Sequence, residues 1–131
     1  MEDHPAPIVG WWRRRGWSFR WAFRGLGLCF RSQENMRLHF VATLLVAGLG
    51  LWLRLAGWEW CAVIGAFALV WTAEIFNTAI EALVDLLSPE RRPLAGKVKD
   101  LAAGAVLAAA LGAVAIGAVI FVPKLWATLV R

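Results

Sequence analysis

Hydrophobic positions in this chain fall in long blocks. Leu101 to Val122 is a run of 22 residues without a charge, closed by Asp100 on one side and Pro123-Lys124 on the other. As a helix it is about 33 Å long, enough for a hydrocarbon core of about 30 Å. A second block runs from about Leu38 to Gly57; only Arg54 interrupts it, near its end, where a long side chain reaches the interface. A third starts at Trp58 or Trp60 and continues to Leu87. It is uncharged from Trp60 through Ala73 and then carries Glu74, Asn77, Glu81 and Asp85. The pattern predicts an all-α integral membrane protein with spans at 38–57, 58–87 and 100–122 and a cytoplasmic loop at 88–99.

Residues 11–35 mix Trp, Phe and Arg too densely for a loop and are too charged for a span. On a helix, Arg13, Arg20, Arg24 and Arg31 fall within roughly 60° of one another. Ser18, Ala22, Gly25 and Cys29 form a stripe of small residues on the opposite side. This is the pattern of an amphipathic interfacial helix, with arginines toward phosphates and aromatics toward lipid. A second reading has it covering a site on the inner leaflet, its small stripe against another helix. In the last span, Ala105, Ala109, Ala113 and Gly117 form a ladder that permits close helix approach. Three spans bury few faces alone, so a homo-oligomer is expected.

Composition agrees with this class. Of 131 residues, 60% are apolar and 18% charged, against about 45–50% and 25% in an ordinary globular domain. That excludes a disordered chain and a small soluble enzyme. The net charge of +5 is placed unevenly. Eleven of the fourteen basic residues precede the first span or lie between the second and third, and only Arg54, Lys124 and Arg131 lie on the other side. The N-terminus and the 88–99 loop are therefore expected in the cytoplasm and the C-terminus outside. Trp52, Trp58, Trp60 and Trp126 would form an outer aromatic belt. Topology and anionic lipid explain the basic charge, and no nucleic-acid partner is expected. No cleavable signal peptide is expected, since Met1-Glu2-Asp3 is acidic and no short apolar stretch with a small-residue cleavage site follows. Cys29 and Cys61 fall on opposite sides and are read as small apolar residues.

The second span carries the chemistry. Glu74, Thr78, Glu81 and Asp85 lie within roughly 60° on one helix face, with Asn77 about 40° beyond its edge. A carboxylate facing lipid at mid-bilayer costs several kcal/mol, so the stripe must face protein, water or metal. Glu74 lies deepest, while Glu81 and Asp85 lie near the cytoplasmic headgroups. Beside them stand Arg91, Arg92, Lys97 and Lys99. Acids and bases so placed suit a polyanion with a divalent metal, carboxylates holding Mg²⁺ and bases neutralising phosphate. A purely structural alternative pairs Asp85 or Glu90 with Arg91. The sequence has no Walker-A loop, kinase-type glycine loop, His/Cys metal spacing or nucleophile elbow. His39 reads as an interfacial polar contact.

The run Glu74-Ile-Phe-Asn77-Thr78-Ala79-Ile80-Glu81-Ala82-Leu83-Val84-Asp85 resembles the signature of the prokaryotic diacylglycerol kinase family, which also contains the undecaprenol kinases. Pro93-Leu94-Ala95, Lys99-Asp100 and Ala102-Ala103-Gly104-Ala105-Val106-Leu107 follow at the family's spacing. Upstream, Ala22-Phe23-Arg24-Gly25-Leu26 and Asn35-Met36-Arg37-Leu38-His39 match its N-terminal pattern. The resemblance implies a homotrimer in the bacterial inner membrane that transfers the γ-phosphate of MgATP to a lipid hydroxyl. It implies Glu74 as candidate base, Glu81 as metal ligand, Asn77 and Lys99 on phosphates, and Asp100 in nucleotide binding. Arg24 and Asp85 would stand at the lipid interface. The family's second acidic metal ligand falls at Gln33, with Glu34 beside it as a substitute, and Arg92 stands where many members have His. The Pro-Leu-Ala loop and the start of the last span are closer to the undecaprenol kinase branch. Two other classes fit the intramembrane acids: a small proton-coupled transporter using Glu74, and a non-catalytic membrane subunit. A transporter does not need acids and bases crowded at one interface, and in a non-catalytic subunit the polar stripe would serve only assembly.

Overall fold

A computed structural model describes residues 11–90 and 92–130, and for residues 11–15 the backbone alone. Arg91 and Arg131 lie outside the described residues, as do the side chains of Arg13, Arg14 and Arg15. The described chain is all helical: α1 Trp11–Ser32, α2 Glu34–Trp52, α3 Gly57–Leu87 and α4 Pro93–Leu129. The last three are long and apolar enough to cross a membrane. Together with the basic-residue pattern, they make this a membrane protein.

Helix bounds differ from the hydropathy blocks where backbone chemistry decides. Residues 93–99, expected in the loop, are the first two turns of α4. Pro93 occupies the first helical position, where its fixed φ suits a helix and its missing N–H costs nothing. The second block stops at Trp52 rather than 57 because the chain must reverse. Arg54 takes a left-handed conformation, φ 52°, and Leu55 N–H donates to the Gly50 carbonyl at 3.0 Å. Gly50 is required there, since a Cβ would lie 2.9 Å from the Trp60 ring.

α3 and α4 form the main antiparallel hairpin, and α2 packs on α3. The buried positions of α3 are Glu59, Val63, Ala66, Val70, Glu74 and Asn77, a single stripe at helical spacing. Its middle is apolar, and its inner part is polar. Near the turn between α2 and α3, Leu55, Val63, Ile120 and Phe121 make the core, with Trp60, Phe67 and Leu125 against it. On α4 the buried stripe runs through Ala102, Ala109 and Ile120. Ala105 of the expected small-residue ladder is exposed, while Ala113 and Gly117 are half-buried. The start of α3 and the last part of α4 are tied by Lys124 Nζ on Glu59 at 3.0 Å. Glu59 also accepts the Ala56 N–H at 2.6 Å, half of a capping box, because Ala56 has no side-chain acceptor to return the bond.

Candidate active site

The polar stripe of α3 becomes less buried toward the C-terminal end of the helix. Glu74 is 0% exposed and Asn77 6%; Glu81 is half-buried, and the Asp85 side chain is 67% exposed. These residues span about 16 Å along the axis. The helix is continuous there, so their alignment follows from spacing alone. Thr78 donates its hydroxyl to the Glu74 carbonyl at 2.9 Å, which turns its oxygen toward α1. Cys29, buried on α1, lies 3.4 Å from that oxygen and is left as the donor.

Two amides meet Glu81. Asn77 Nδ2 donates to Oε1 at 3.1 Å, and Gln33 Nε2 donates to Oε2 at 3.4 Å. Gln33 is the one residue between α1 and α2 in extended conformation, φ −112° and ψ 120°. Glu34, the other candidate at that position, turns outward. Its side chain is 93% exposed and pairs with Arg37 at 3.7 Å. The structure therefore brings Gln33, Asn77 and Glu81 together and leaves Glu34 apart.

Three buried acceptors in the stripe have no partner: both Glu74 carboxyl oxygens and Asn77 Oδ1. Buried polar atoms are nearly always hydrogen-bonded, so three orphans along one turn mark a place for something absent from the chain alone. All are hard oxygen donors, of the type that suits Mg²⁺ or a hydroxyl. Among the described residues, no three His, Cys, Asp or Glu side chains converge to hold a metal by themselves.

At the mouth, where α3 ends and α4 begins, Lys99 pairs with Asp85 at 2.5 Å, across α3 and α4. Glu90 pairs with Arg92 at 3.5 Å. The pairing with Arg91 weighed from sequence falls on an undescribed residue. Val84, Asp85, Ser88, Arg92, Gly96 and Lys99 line a cleft here of about 440 Å³. Asp100 and Lys97 are exposed. On α1, Arg20 stacks over Trp17 and Arg24 over Trp21, at 5.7 and 5.5 Å, and Phe19 and Phe23 are exposed. Of the small stripe, Ser18, Ala22 and Gly25 are exposed and only Cys29 is covered.

Some features carried no motif. Trp71 Nε1 donates to Thr43 at 3.2 Å, and Thr43 donates to the His39 carbonyl at 2.7 Å, stitching α2 to α3 one turn before Glu74. The ring of Phe30 packs edge-on against Phe40 and Trp71. An apolar cavity of about 290 Å³ opens beside them, with His39, Trp71, Val70, Ala113 and Phe121 in its wall. The Glu59–Lys124 tie has a sequence signal, one charge just inside each of two neighbouring helix ends.

Residues 20–121 match the family model for prokaryotic diacylglycerol kinase. The chain belongs to the prokaryotic diacylglycerol kinase family. It is 38% identical to the undecaprenol kinase of Bacillus subtilis over 108 residues, covering 82% of this chain and 88% of that protein. It is 36% identical to a diacylglycerol kinase of Synechocystis over 114 residues, covering 86% of this chain and 65% of that one. With the diacylglycerol kinase of Escherichia coli K12 it shares 34% over 94 residues, 72% of this chain and 77% of that enzyme. The matched region includes the whole polar stripe, Gln33 and Lys99.

Proposed function

We propose that this protein is an ATP-dependent lipid-alcohol kinase acting at the cytoplasmic face of the bacterial inner membrane, with undecaprenol the preferred acceptor and diacylglycerol the alternative. The observation that carries the reading is the graded stripe: an orphaned, fully buried carboxyl at Glu74, an amide-held Glu81 above it, and half-buried Lys99 with exposed Arg92 at the mouth. A lipid hydroxyl reaches such a site from the membrane and a nucleotide from water. The names of the three relatives, one undecaprenol kinase and two diacylglycerol kinases, agree with an acceptor of this class.

In this reading Glu74 takes the proton from the lipid hydroxyl as it attacks the γ-phosphorus. Glu81 holds Mg²⁺, which when bound neutralises phosphate charge. Asn77 and Lys99 meet phosphate oxygens, and Asp100 supports the nucleotide. Lys99 exchanges Asp85 for phosphate, leaving Asp85 at the interface. Phosphoryl transfer needs little covalent help from the protein, so positioning and charge neutralisation supply most of the rate. Residues 11–35 act as an amphipathic interfacial helix, with Arg24 among lipid phosphates, and the chain works as a single membrane domain in a homotrimer. The N-terminus is cytoplasmic and the C-terminus outside.

The test is turnover by purified protein in lipid nanodiscs with MgATP and each lipid alcohol. Glu81→Gln is expected to abolish phosphorylation while the oligomer stays intact by native mass spectrometry. Near-normal turnover in that variant removes Glu81 from the metal role.

A further inference from the structure

A base that takes a proton from each lipid hydroxyl must lose it before the next one arrives. Glu74 is fully buried, so that proton needs a route out. Its neighbours on α3 offer none. Thr78 has committed its hydroxyl to the Glu74 carbonyl, and the Asn77 amide is not a base. Glu81 stands seven residues on, with an amide on each oxygen. From α1, Cys29 is tied to Thr78. On α4, Lys99 is held by Asp85.

The fourth side is α2. A short turn joins α2 to α3, so the two run antiparallel, and the bond from Trp71 to Thr43 fixes their register. His39 lies four residues before Thr43, and Glu74 three after Trp71, each pair on one helix face. Both steps run the same way, by about 6 and about 4.5 Å. His39 therefore comes level with Glu74. The charges of His39 and Glu81 both act on Glu74, His39 by attraction and Glu81 by repulsion. His39 is half-buried and lines the apolar cavity with Val70 and Trp71 of α3 and Ala110 and Ala113 of α4. The rest of that wall carries no ionisable group. Glu34 and Arg37, the charged residues before His39 on α2, pair with each other and are exposed. His39 lies five residues, about 8 Å of helix rise, from the start of α2, the end that the kinase reading puts at the water face.

We propose that His39 is the exit for the proton that Glu74 removes, acting through Glu74 and not on the lipid itself. As the lipid oxygen bonds to the γ-phosphorus, the bond from that phosphorus to the bridging oxygen breaks, and ADP leaves with the electron pair. The hydroxyl proton passes to a Glu74 oxygen, then to the unprotonated nitrogen of neutral His39, and from the imidazolium to water. Glu74 is a carboxylate again, and His39 is neutral again. The proposal rests on the kinase reading and adds a path for the proton to it.

The test is rapid-quench kinetics on the full-length oligomer in nanodiscs, with labelled ATP and undecaprenol. In His39→Gln the first turnover is expected at the wild-type rate, giving a burst of about one lipid phosphate per chain. The steady state that follows is expected to be about a hundredfold slower, because Glu74 stays protonated. In His39→Ala, imidazole in the buffer is expected to raise the steady-state rate about tenfold, entering the cavity beside the missing ring. A merely structural role slows first and later turnovers alike and gives no rescue. Either of those results, or steady-state turnover near the wild-type rate, in a variant shown to be folded by its melting curve, overturns the proposal. A third arm needs no His39 variant. With ¹³C-labelled histidine, the His39 ring signal is assigned by the signal lost in His4→Gln. Its titration midpoint is expected to move in Glu74→Met, and an unmoved midpoint overturns the proposal. A wild-type oligomer that phosphorylates no lipid alcohol fails at the earlier step, and the kinase reading falls with it.

Discussion

Replacing Glu74 by Met separates activity from stability with opposite signs. Both Glu74 oxygens are buried without a partner, and the residue is 0% exposed. A buried polar group left unsatisfied costs about 1–3 kcal/mol. Met has nearly the same length, carries no group that requires a partner, and fills irregular gaps readily. The variant is therefore expected to be more stable than wild type by about 1–3 kcal/mol. Loss of a positioned general base typically costs about 10²–10⁴ in rate, so turnover should fall at least a hundredfold. Stability is read as the midpoint of unfolding in mixed micelles and turnover as labelled phosphate transferred from ATP to undecaprenol. A Met variant destabilised by more than about 1 kcal/mol refutes the reasoning, because it means Glu74 makes a bond within the oligomer that the single chain lacks. A stable variant with activity within tenfold of wild type removes Glu74 as the base.

Other perturbations probe separate parts of the account. Lys99→Met is expected to raise the apparent KM for ATP at least tenfold and to change stability by less than about 1 kcal/mol, since its pair with Asp85 is largely exposed; ATP titrations and melting curves check both. Asn77→Leu removes one of the two donors on Glu81 and is expected to lower kcat with the fold intact, measured by turnover and native mass spectrometry. Gly50→Ala drives a methyl group against the Trp60 ring and is expected to cost about 1–3 kcal/mol, seen as a lower melting midpoint with unchanged KM. Glu59→Gln and Lys124→Met each leave the other half of their tie unpaired. Each alone should lower the midpoint more than the double variant does, with kcat unchanged.

The three long helices were legible because their apolar blocks are long and nearly uninterrupted, and the polar face of α3 because a period of 3.6 needs no tertiary knowledge to compute. Boundaries were less legible. Helix α4 starts at Pro93 rather than Asp100 because a proline at the first helical position initiates a helix in spite of nearby charge. Hydropathy reads Gly96, Lys97 and Lys99 as loop-like, yet they are helical. The site was legible as a list of residues but not as a set of contacts. Whether Gln33 or Glu34 faces Glu81 depends on a one-residue break between α1 and α2, and shifting that break by one position exchanges the two. That Lys99 reaches Asp85 depends on where α4 begins, which is two turns before the end of the expected 88–99 loop. The ladder at Ala105, Ala109, Ala113 and Gly117 shows the same sensitivity. A strict four-residue step drifts around a helix of 3.6 residues per turn, so Ala105 leaves the packed face and Ala102 takes its place.

The central claim, that the stripe on α3 transfers phosphate from ATP to a lipid alcohol, is tested most directly by one side-by-side assay. Purified wild-type protein in nanodiscs receives radiolabelled MgATP with undecaprenol in one arm and diacylglycerol in the other, and lipid-extractable label is counted. The account predicts ATP-dependent phosphorylation of a lipid alcohol, faster with undecaprenol. A folded oligomer that labels neither lipid above the level of its Glu81→Gln variant contradicts it.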